Sequence, residues 1–216
     1  DVYDLWIEGS KIWAVGKPSL GAGKSDQVIF SDDEGMNWQV QSTGSTTDIY
    51  SGIFMLNSQN GFICGTNGKI LKTENGGFNW NQVTSPTTNT LFGIKFTDQN
   101  TGWIYGADST IYKTTNSGYS WFQQTPQGIR GDIRDAEMIN SNTGWIMGNS
   151  NNIYKTTDGG NNWSHQNGQF NGIIRDMFDI KMIDENTGYI CGIRTFAKTI
   201  NGGINWDTLA MPFPAN

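Results

Sequence analysis

The arginine side chains are the groups of this sequence best suited to binding chemistry. All four lie in the second half of the chain: Arg130, Arg134, Arg175 and Arg194. A guanidinium group forms charge-assisted hydrogen bonds with carboxylate or sulfate groups. We predict that Arg134, Arg175 and Arg194 bind such a ligand, and that Asp132 and Asp176 orient the guanidinium groups. The alternative is that the arginines only neutralise the neighbouring aspartates.

Two further patterns suggest chemistry but lack what it requires. Residues 21–25 read GAGKS, yet Pro18 stands where a phosphate-binding loop needs its first glycine. His165 is the only histidine, and two cysteines, Cys64 and Cys191, are too few for a structural zinc site. We therefore predict no cofactor, no bound metal and no catalytic residue, and we expect both cysteines to be free thiols.

The composition excludes two classes of partner. The chain has 216 residues, with 20 Asp and Glu against 14 Lys and Arg, and a formal net charge of −6. Nucleic-acid binding needs a basic surface, so no nucleic acid partner is predicted. No apolar run reaches the roughly 18 residues of a membrane-spanning helix, so no membrane insertion is predicted.

The chain starts at Asp1 without a targeting segment, which indicates a processed or trimmed product. A secreted, periplasmic or cell-surface location is expected.

Five windows of eight residues share the pattern S/T-x-D/N-x-G-x-x-W at intervals of 41 to 43 residues. The glycine permits a positive φ, and the Asp or Asn two residues earlier can accept hydrogen bonds from backbone N–H groups across a turn. The windows are therefore predicted to be structural, not catalytic. Their key residues are Asp33, Gly35 and Trp38; Asn75, Gly77 and Trp80; Asn116, Gly118 and Trp121; Asp158, Gly160 and Trp163; and Asn201, Gly203 and Trp206.

Two apolar segments precede each window, for example DVYDLWI at 1–7 and KIWAVG at 11–16. Four short strands in about 42 residues match one blade of a β-propeller. We predict one all-β domain over residues 1–216, a β-propeller of four-stranded antiparallel blades with five blades. The units lie near 1–43, 44–86, 87–127, 128–170 and 171–216. The alternative is that the chain is part of a six- to eight-bladed ring.

The windows have the spacing of the Asp box, and the sequence resembles the Asp-box (BNR-like) β-propellers. Its units are most similar to those of the photosystem II assembly and stability factor family. Asn75, Asn116 and Asn201 depart from the Asp of that motif but retain its turn chemistry. Family members related to photosystem assembly carry an arginine-lined patch, and the resemblance implies that the arginines of this chain form a reduced version of it.

These features favour a non-enzymatic binding or scaffold propeller that recognises a protein or glycan on the face opposite the Asp boxes. One alternative is a carbohydrate-active enzyme of the sialidase or glycoside hydrolase type. A sialidase-like site takes its arginines from separate blades, whereas those of this chain crowd into the last two units. Two non-enzymatic functions also stay open: a chaperone like the photosystem assembly factors, and a spacer module of a longer cell-surface protein.

Irregular positions of the repeat indicate where the binding surface lies, since regular positions serve the fold. The irregular segments are an insertion at 17–27 and a long connection at 165–175. In addition, one position of the repeat changes from an aromatic residue to arginine. The first strands of the five units are aligned here as 1–7, 48–54, 90–96, 132–138 and 176–182. In this alignment Arg134 stands where the other units have Tyr3, Tyr50, Phe92 and Phe178. The same alignment places Asp1, Asp48, Asp132 and Asp176 at one position. We predict a site at the channel mouth, with Tyr50, Phe92 and Phe178 as apolar walls.

Overall fold

The computed structural model describes residues 1–18, 27–126, 128–149, 152–166, 169–170, 177–193 and 195–209, with only the backbone described at 169–170. The described residues form five β-sheets; four are made of consecutive strands in chain order, and the fifth carries one further strand at its edge. This arrangement confirms the predicted all-β fold of four-stranded antiparallel blades. We call the sheets blades 1 to 5.

The first three blades each contain four strands and no additional pairing. Blade 1 consists of β1 (Val2–Glu8), β2 (Lys11–Gly16), β3 (Val28–Ser31) and β4 (Gln39–Val40). Blade 2 consists of β5 (Tyr50–Met55), β6 (Gly61–Gly65), β7 (Ile70–Thr73) and β8 (Asn81–Gln82), with a short 3-10 turn at Thr66–Gly68. Blade 3 consists of β9 (Leu91–Phe96), β10 (Gly102–Gly106), β11 (Ile111–Thr114) and β12 (Phe122–Gln123).

The last two blades differ in the number of their strands. Blade 4 consists of β13 (Ile133–Met138), β14 (Gly144–Gly148), β15 (Ile153–Thr156) and β16 (Ser164–Gln166). Blade 5 consists of β18 (Met177–Met182), β19 (Gly188–Gly192), β20 (Thr195–Thr199) and β21 (Asn205–Thr208). The prediction of four strands is incomplete for blade 5. β17 (Gln169–Phe170), from the connection between the two blades, pairs in parallel with the outer edge of β21.

The five windows form one recurring turn, here called the box turn, between the third and fourth strands of each blade. In the first, the Ser31 hydroxyl donates to the Asp33 carboxylate (2.8 Å) and accepts the Gly35 N–H (2.9 Å). The Asn37 N–H donates to the same carboxylate (2.8 Å), and Gly35 has a φ of 87°. Thr73, Thr114, Thr156 and Thr199 repeat the bond to the box glycine in the other blades.

Apolar side chains fill the spaces between blades 1 and 2, between blades 2 and 3, and between blades 4 and 5. The chain divides into two compact units, Asp1–Ile104 with Tyr112–Phe122, and Tyr105–Ile111 with Gln123–Asn216. The first unit contains two apolar clusters, one around Trp13, Tyr50 and Trp80 and one around Phe62 and Trp121. The second unit is built around Trp145, Met182 and Trp206.

The box tryptophans of blades 2, 3 and 5 each belong to an apolar cluster that they share with side chains of the preceding blade. Trp121 belongs to the cluster that contains Phe62, and the ring centroids of Trp121 and Phe96 lie 6.2 Å apart. The box tryptophans of blades 2 to 5 are at most 9% exposed, whereas Trp38 of blade 1 is 44% exposed. In blades 2, 3 and 5, side chains of the preceding blade therefore contribute to the burial of this ring.

Candidate ligand-binding surface

Arg134 lies at the start of β13, where two oxygen acceptors hold its guanidinium group. Its Nη2 atom lies 2.9 Å from Oδ2 of Asp132, and its Nε donates a 3.0 Å hydrogen bond to Oδ1 of Asn149. The side chain remains 39% exposed. Asp132 is thus positioned to orient the guanidinium group.

Backbone contacts hold the loops around this ion pair. The Ser109 N–H donates to the Gly131 carbonyl (2.7 Å), and the Ser109 hydroxyl bonds to the same oxygen (3.1 Å). The Asp108 N–H lies 3.4 Å from the carboxylate of Asp132. These bonds join the turn between β10 and β11 to the segment that precedes β13. The Arg134 and Asp132 side chains therefore stand on a supported backbone.

Within blade 4, Arg134 and the box turn lie at opposite ends of the strands. Ile133 pairs with Gly148 at one end of β13, whereas Gly144, at the start of β14, pairs with Thr156. The box turn follows Thr156 directly. Because the strands are antiparallel, a ligand at Arg134 would contact the blade end remote from the box.

The alignment of Tyr50 with Tyr3 and Arg134 is wrong by one residue. Tyr50 pairs with Gly65 just as Val2 pairs with Gly16 and Ile133 with Gly148. Tyr50 is fully buried in an apolar cluster, and burial raises the pKa of its phenol to about 12. A side chain enclosed in this way cannot form the wall of an open site.

The same shift by one residue removes Asp48 from the row of aspartates. The Asp48 carboxylate instead lies 3.3 Å from the ammonium group of Lys69. Ser51 takes the position assigned to Tyr50, and its hydroxyl donates to the Leu91 carbonyl at 2.6 Å. Blade 2 therefore has the small Ser51 side chain at the repeat position that Arg134 occupies in blade 4.

The remaining predicted site residues are divided between the two compact units. Phe92 belongs to the first and is half-buried, whereas Phe178 belongs to the second and is 54% exposed. Arg175, Arg194 and Asp176 lie outside the described residues, as does most of the insertion at 17–27. Arg134 with Asp132 is the part of the predicted site that the structure brings together.

A buried polar pair beside this surface was not anticipated. The Tyr105 hydroxyl donates to Asp135 at 2.7 Å, and the other carboxylate oxygen of Asp135 accepts the Ile180 N–H at 3.0 Å. Asp4 likewise accepts the Ile53 N–H from the next blade at 2.9 Å. The recurrence of Asp at this strand position was visible in the sequence, but its partners in other blades were not. These carboxylates join blades.

Clustered metal-ligand side chains and membrane-spanning helices are both absent from the described residues. No group of three or more His, Cys, Asp or Glu side chains that could hold a metal ion occurs in this part of the chain. Within the same residues, no helix is long and apolar enough to cross a membrane. Both cysteines are free thiols in the structure; Cys64 is buried, and Cys191 is partly exposed.

Residues 73–170 match the family described as photosynthesis system II assembly factor YCF48. The chain carries BNR-like propeller repeats. The predicted resemblance to this repeat family is thereby confirmed. No curated protein matches the propeller.

Solved structures share the fold of this propeller at low sequence identity. YCF48 bound to D1 peptide matches with a TM-score of 0.64 and 16% identity, over 96% of this chain and 81% of that chain. YCF48 from Cyanidioschyzon merolae matches with a TM-score of 0.63 and 18% identity, over 77% of this chain and 57% of that chain. An ancestral GH74 enzyme matches with a TM-score of 0.75 and 17% identity, over 96% of this chain and 31% of the enzyme. The propeller thus spans about a third of that enzyme.

Proposed function

We propose that this chain is a non-enzymatic binding or scaffold propeller that recognises a protein partner at the Arg134 surface, opposite the box turns. The observation that carries the proposal is the Arg134 guanidinium, which is held by Asp132 and Asn149 and is still 39% exposed. A guanidinium held in advance loses little conformational entropy when it binds a carboxylate. The complex of YCF48 with D1 peptide supports a peptide as the partner.

The partner's carboxylate would compete with Asp132 for the guanidinium group. Exposed ion pairs contribute only about 0 to 1 kcal/mol, so sharing the cation costs little. Asn149 would keep the group in place during the exchange, because its side-chain oxygen accepts the Nε–H at 3.0 Å. Arg175, Arg194 and Asp176 are proposed members of the same surface, with Phe178 of the same compact unit as an apolar contact.

The test uses a displayed peptide library to select ligands and calorimetry to measure their affinity. Arg134→Ala should weaken the selected peptides about tenfold or more, because a charge-assisted bond is lost. Arg130→Ala is the matched control, since it removes the same charge from a neighbouring exposed position. The melting temperature should change little in either variant. Equal affinity of the parent and Arg134→Ala would overturn the assignment of the surface.

The second candidate is a glycan ligand or a glycoside hydrolase activity. The match to a GH74 enzyme makes the fold compatible with it, at 17% identity and over 31% of that enzyme. A panel of polysaccharides and aryl glycosides tests both. Binding without turnover would assign a glycan-binding propeller, and turnover would overturn the non-enzymatic proposal. A secreted, periplasmic or cell-surface location, and a role like that of the photosystem assembly factors, remain proposals for localisation and interaction studies.

A further inference from the structure

The first compact unit contains a cleft of about 510 Å³ between blade 1 and the box turn of blade 2. Its apolar lining includes Phe30, Val40 and Phe78, and the last two are 55% and 85% exposed. The amide side chains of Gln39 and Gln59 contribute polar groups to the lining. The cleft lies at the box end of the blades, whereas Arg134 lies at the other end of its own blade.

Hydrogen bonds between the two blades hold this cleft open. The Trp13 indole N–H and the Gln41 amide both donate to the Gly76 carbonyl, at 3.1 and 2.8 Å. The Gln41 side-chain oxygen in turn accepts the Trp80 indole N–H at 3.1 Å. Because these groups satisfy one another, the cleft is formed before any ligand arrives.

One repeat position at this cleft has a different residue type in blade 1 than in the other four blades. In blades 2 to 5, a lysine on the third strand lies over the aromatic ring of the second strand. The pairs are Lys72 over Phe62 (5.8 Å), Lys113 over Trp103 (5.0 Å), Lys155 over Trp145 (4.6 Å) and Lys198 over Tyr189 (5.7 Å). In blade 1, Phe30 replaces the lysine, with its ring centroid 4.9 Å from that of Trp13. An apolar ring therefore stands where the other blades place a cation.

The cleft also borders the outer edge of a sheet. β4 is the last strand of blade 1. Its continuation bonds inward, since the Gln41 N–H donates to the Val28 carbonyl at 2.9 Å. Alternate residues of a strand direct their backbone groups to opposite edges, so Val40 directs its N–H and C=O outward. Such an edge can pair with another extended chain.

Blade 5 shows an added strand at the corresponding outer edge of another blade. There β17 pairs in parallel with β21, and Gln169 lies beside Asn205 and Phe170 beside Trp206. Trp206 is the repeat equivalent of Trp38, which directly precedes β4. The blade architecture of this protein therefore accommodates an added extended strand of two residues at its outer edge.

We propose that the cleft of blade 1 binds an extended peptide, which adds a strand to the edge at Val40 and places an apolar side chain against Phe30. Main-chain bonds to the edge supply affinity, and the cleft selects the alternate side chains that point inward. A peptide suits this site better than a glycan, because only a peptide repeats the backbone donors and acceptors that the edge offers. The cleft belongs to the first compact unit and Arg134 to the second, and this proposal does not depend on the function of the Arg134 surface.

The test is an NMR titration with two capped pentapeptides of alternating sequence, Thr-Phe-Thr-Phe-Thr and Thr-Gly-Thr-Gly-Thr. The phenylalanine peptide should shift the amide signals of Val40 and Gln41 and bind at least tenfold more tightly than the glycine peptide. Phe30→Lys gives blade 1 the residue of the other four blades. This variant should fold normally and lose at least tenfold in affinity.

Two controls keep the test decisive. Phe122→Lys removes a phenylalanine that is 59% exposed on β12 and should leave affinity unchanged. Phe78→Ser alters a side chain that is 85% exposed, so it tests the cleft even if Phe30→Lys unfolds. Equal affinity of the parent and both cleft variants would overturn the proposal. So would the absence of peptide binding, or binding of cello-oligosaccharides at Phe30 in its place.

Discussion

The indole N–H of Trp145 donates a 2.9 Å hydrogen bond to the backbone carbonyl of Gly202. Trp145 lies on the second strand of blade 4, and Gly202 lies in the box turn of blade 5. Trp13 makes the same bond to Gly76 in the first compact unit, at 3.1 Å. The box turn thus supplies more than a reversal of the chain, because its carbonyl anchors the preceding blade.

Replacing Trp145 with Phe should lower the free energy of unfolding by about 1 to 3 kcal/mol, because the buried Gly202 carbonyl loses its donor. Urea denaturation measures the change. Trp38→Phe is the matched control, since Trp38 is 44% exposed and should change stability by no more than about 0.5 kcal/mol. Equal losses in the two variants would show that the hydrogen bond contributes nothing.

Trp121→Ala should cost about 3 to 5 kcal/mol, because it removes a large ring from an apolar cluster. Trp121 is 9% exposed and packs with Phe62 and Phe96. Trp38→Ala removes the same ring from a position that is 44% exposed and should cost much less. Thermal melting of both variants provides the comparison. A Trp121→Ala protein that melts like the parent but loses a ligand would place this tryptophan in a binding site.

The box carboxylates should make stability depend on acid. Hydrogen bonds from Asn37 lower the pKa of Asp33, and those from Asn162 lower the pKa of Asp158. A carboxyl group with a lowered pKa in the folded state stabilises the fold above its unfolded pKa of about 3.9, and this contribution is lost as the pH falls through the folded pKa. Stability should therefore decrease between about pH 5 and pH 2.

Changing both residues to Asn would give blades 1 and 4 the amide that the other three boxes carry. Asp33→Asn with Asp158→Asn should flatten the dependence of unfolding free energy on pH below about 5. Asp98→Asn is a useful comparison in a turn outside the boxes, because burial raises the pKa of Asp98 but hydrogen bonds from Asn100 and Thr101 together lower it. A slope unchanged by the box substitutions would refute this role.

The two thiols should differ in reactivity. Burial raises the pKa of Cys64, with a further contribution from Asp4, and burial also raises that of the partly exposed Cys191. A thiol reagent at pH 8 should label Cys191 slowly and leave Cys64 intact in the native protein. Two labels should appear on unfolding without reductant, as mass measurement would show. A mass with no label would mean that the cysteines are joined.

Cys64 should also limit stability at high pH. A thiol with a raised pKa in the folded state stabilises the fold below its unfolded pKa of about 8.5, and this contribution is lost as the pH rises above that value. Denaturation of the parent and of Cys64→Ala at pH 7, 9 and 10 measures the effect. The alanine variant should show a weaker decrease between pH 7 and pH 10, and identical decreases would contradict the assignment.

The sequence by itself determined the blades, because the signals for a blade are local. In the box turn, the bonds from Ser31, Gly35 and Asn37 all close within eight residues. A spacing of 41 to 43 residues then sets the repeat, and the apolar segments before each box become its strands. Local hydrogen bonding of this kind is readable from residue types alone, so the all-β blade architecture was predicted correctly.

Only the tertiary structure decided the register and the partners between blades. The letters around Tyr50 resemble those around Tyr3, but strand pairing places Tyr50 opposite Gly65 in the core. A slip of one residue exchanges the buried and exposed faces of a strand, and a letter pattern does not resolve it. The bond between Tyr105 and Asp135 joins residues 30 apart. The apolar cleft at Phe30 likewise exists because a second blade packs beside the first. Packing between distant segments cannot be predicted from the residue types of either segment alone.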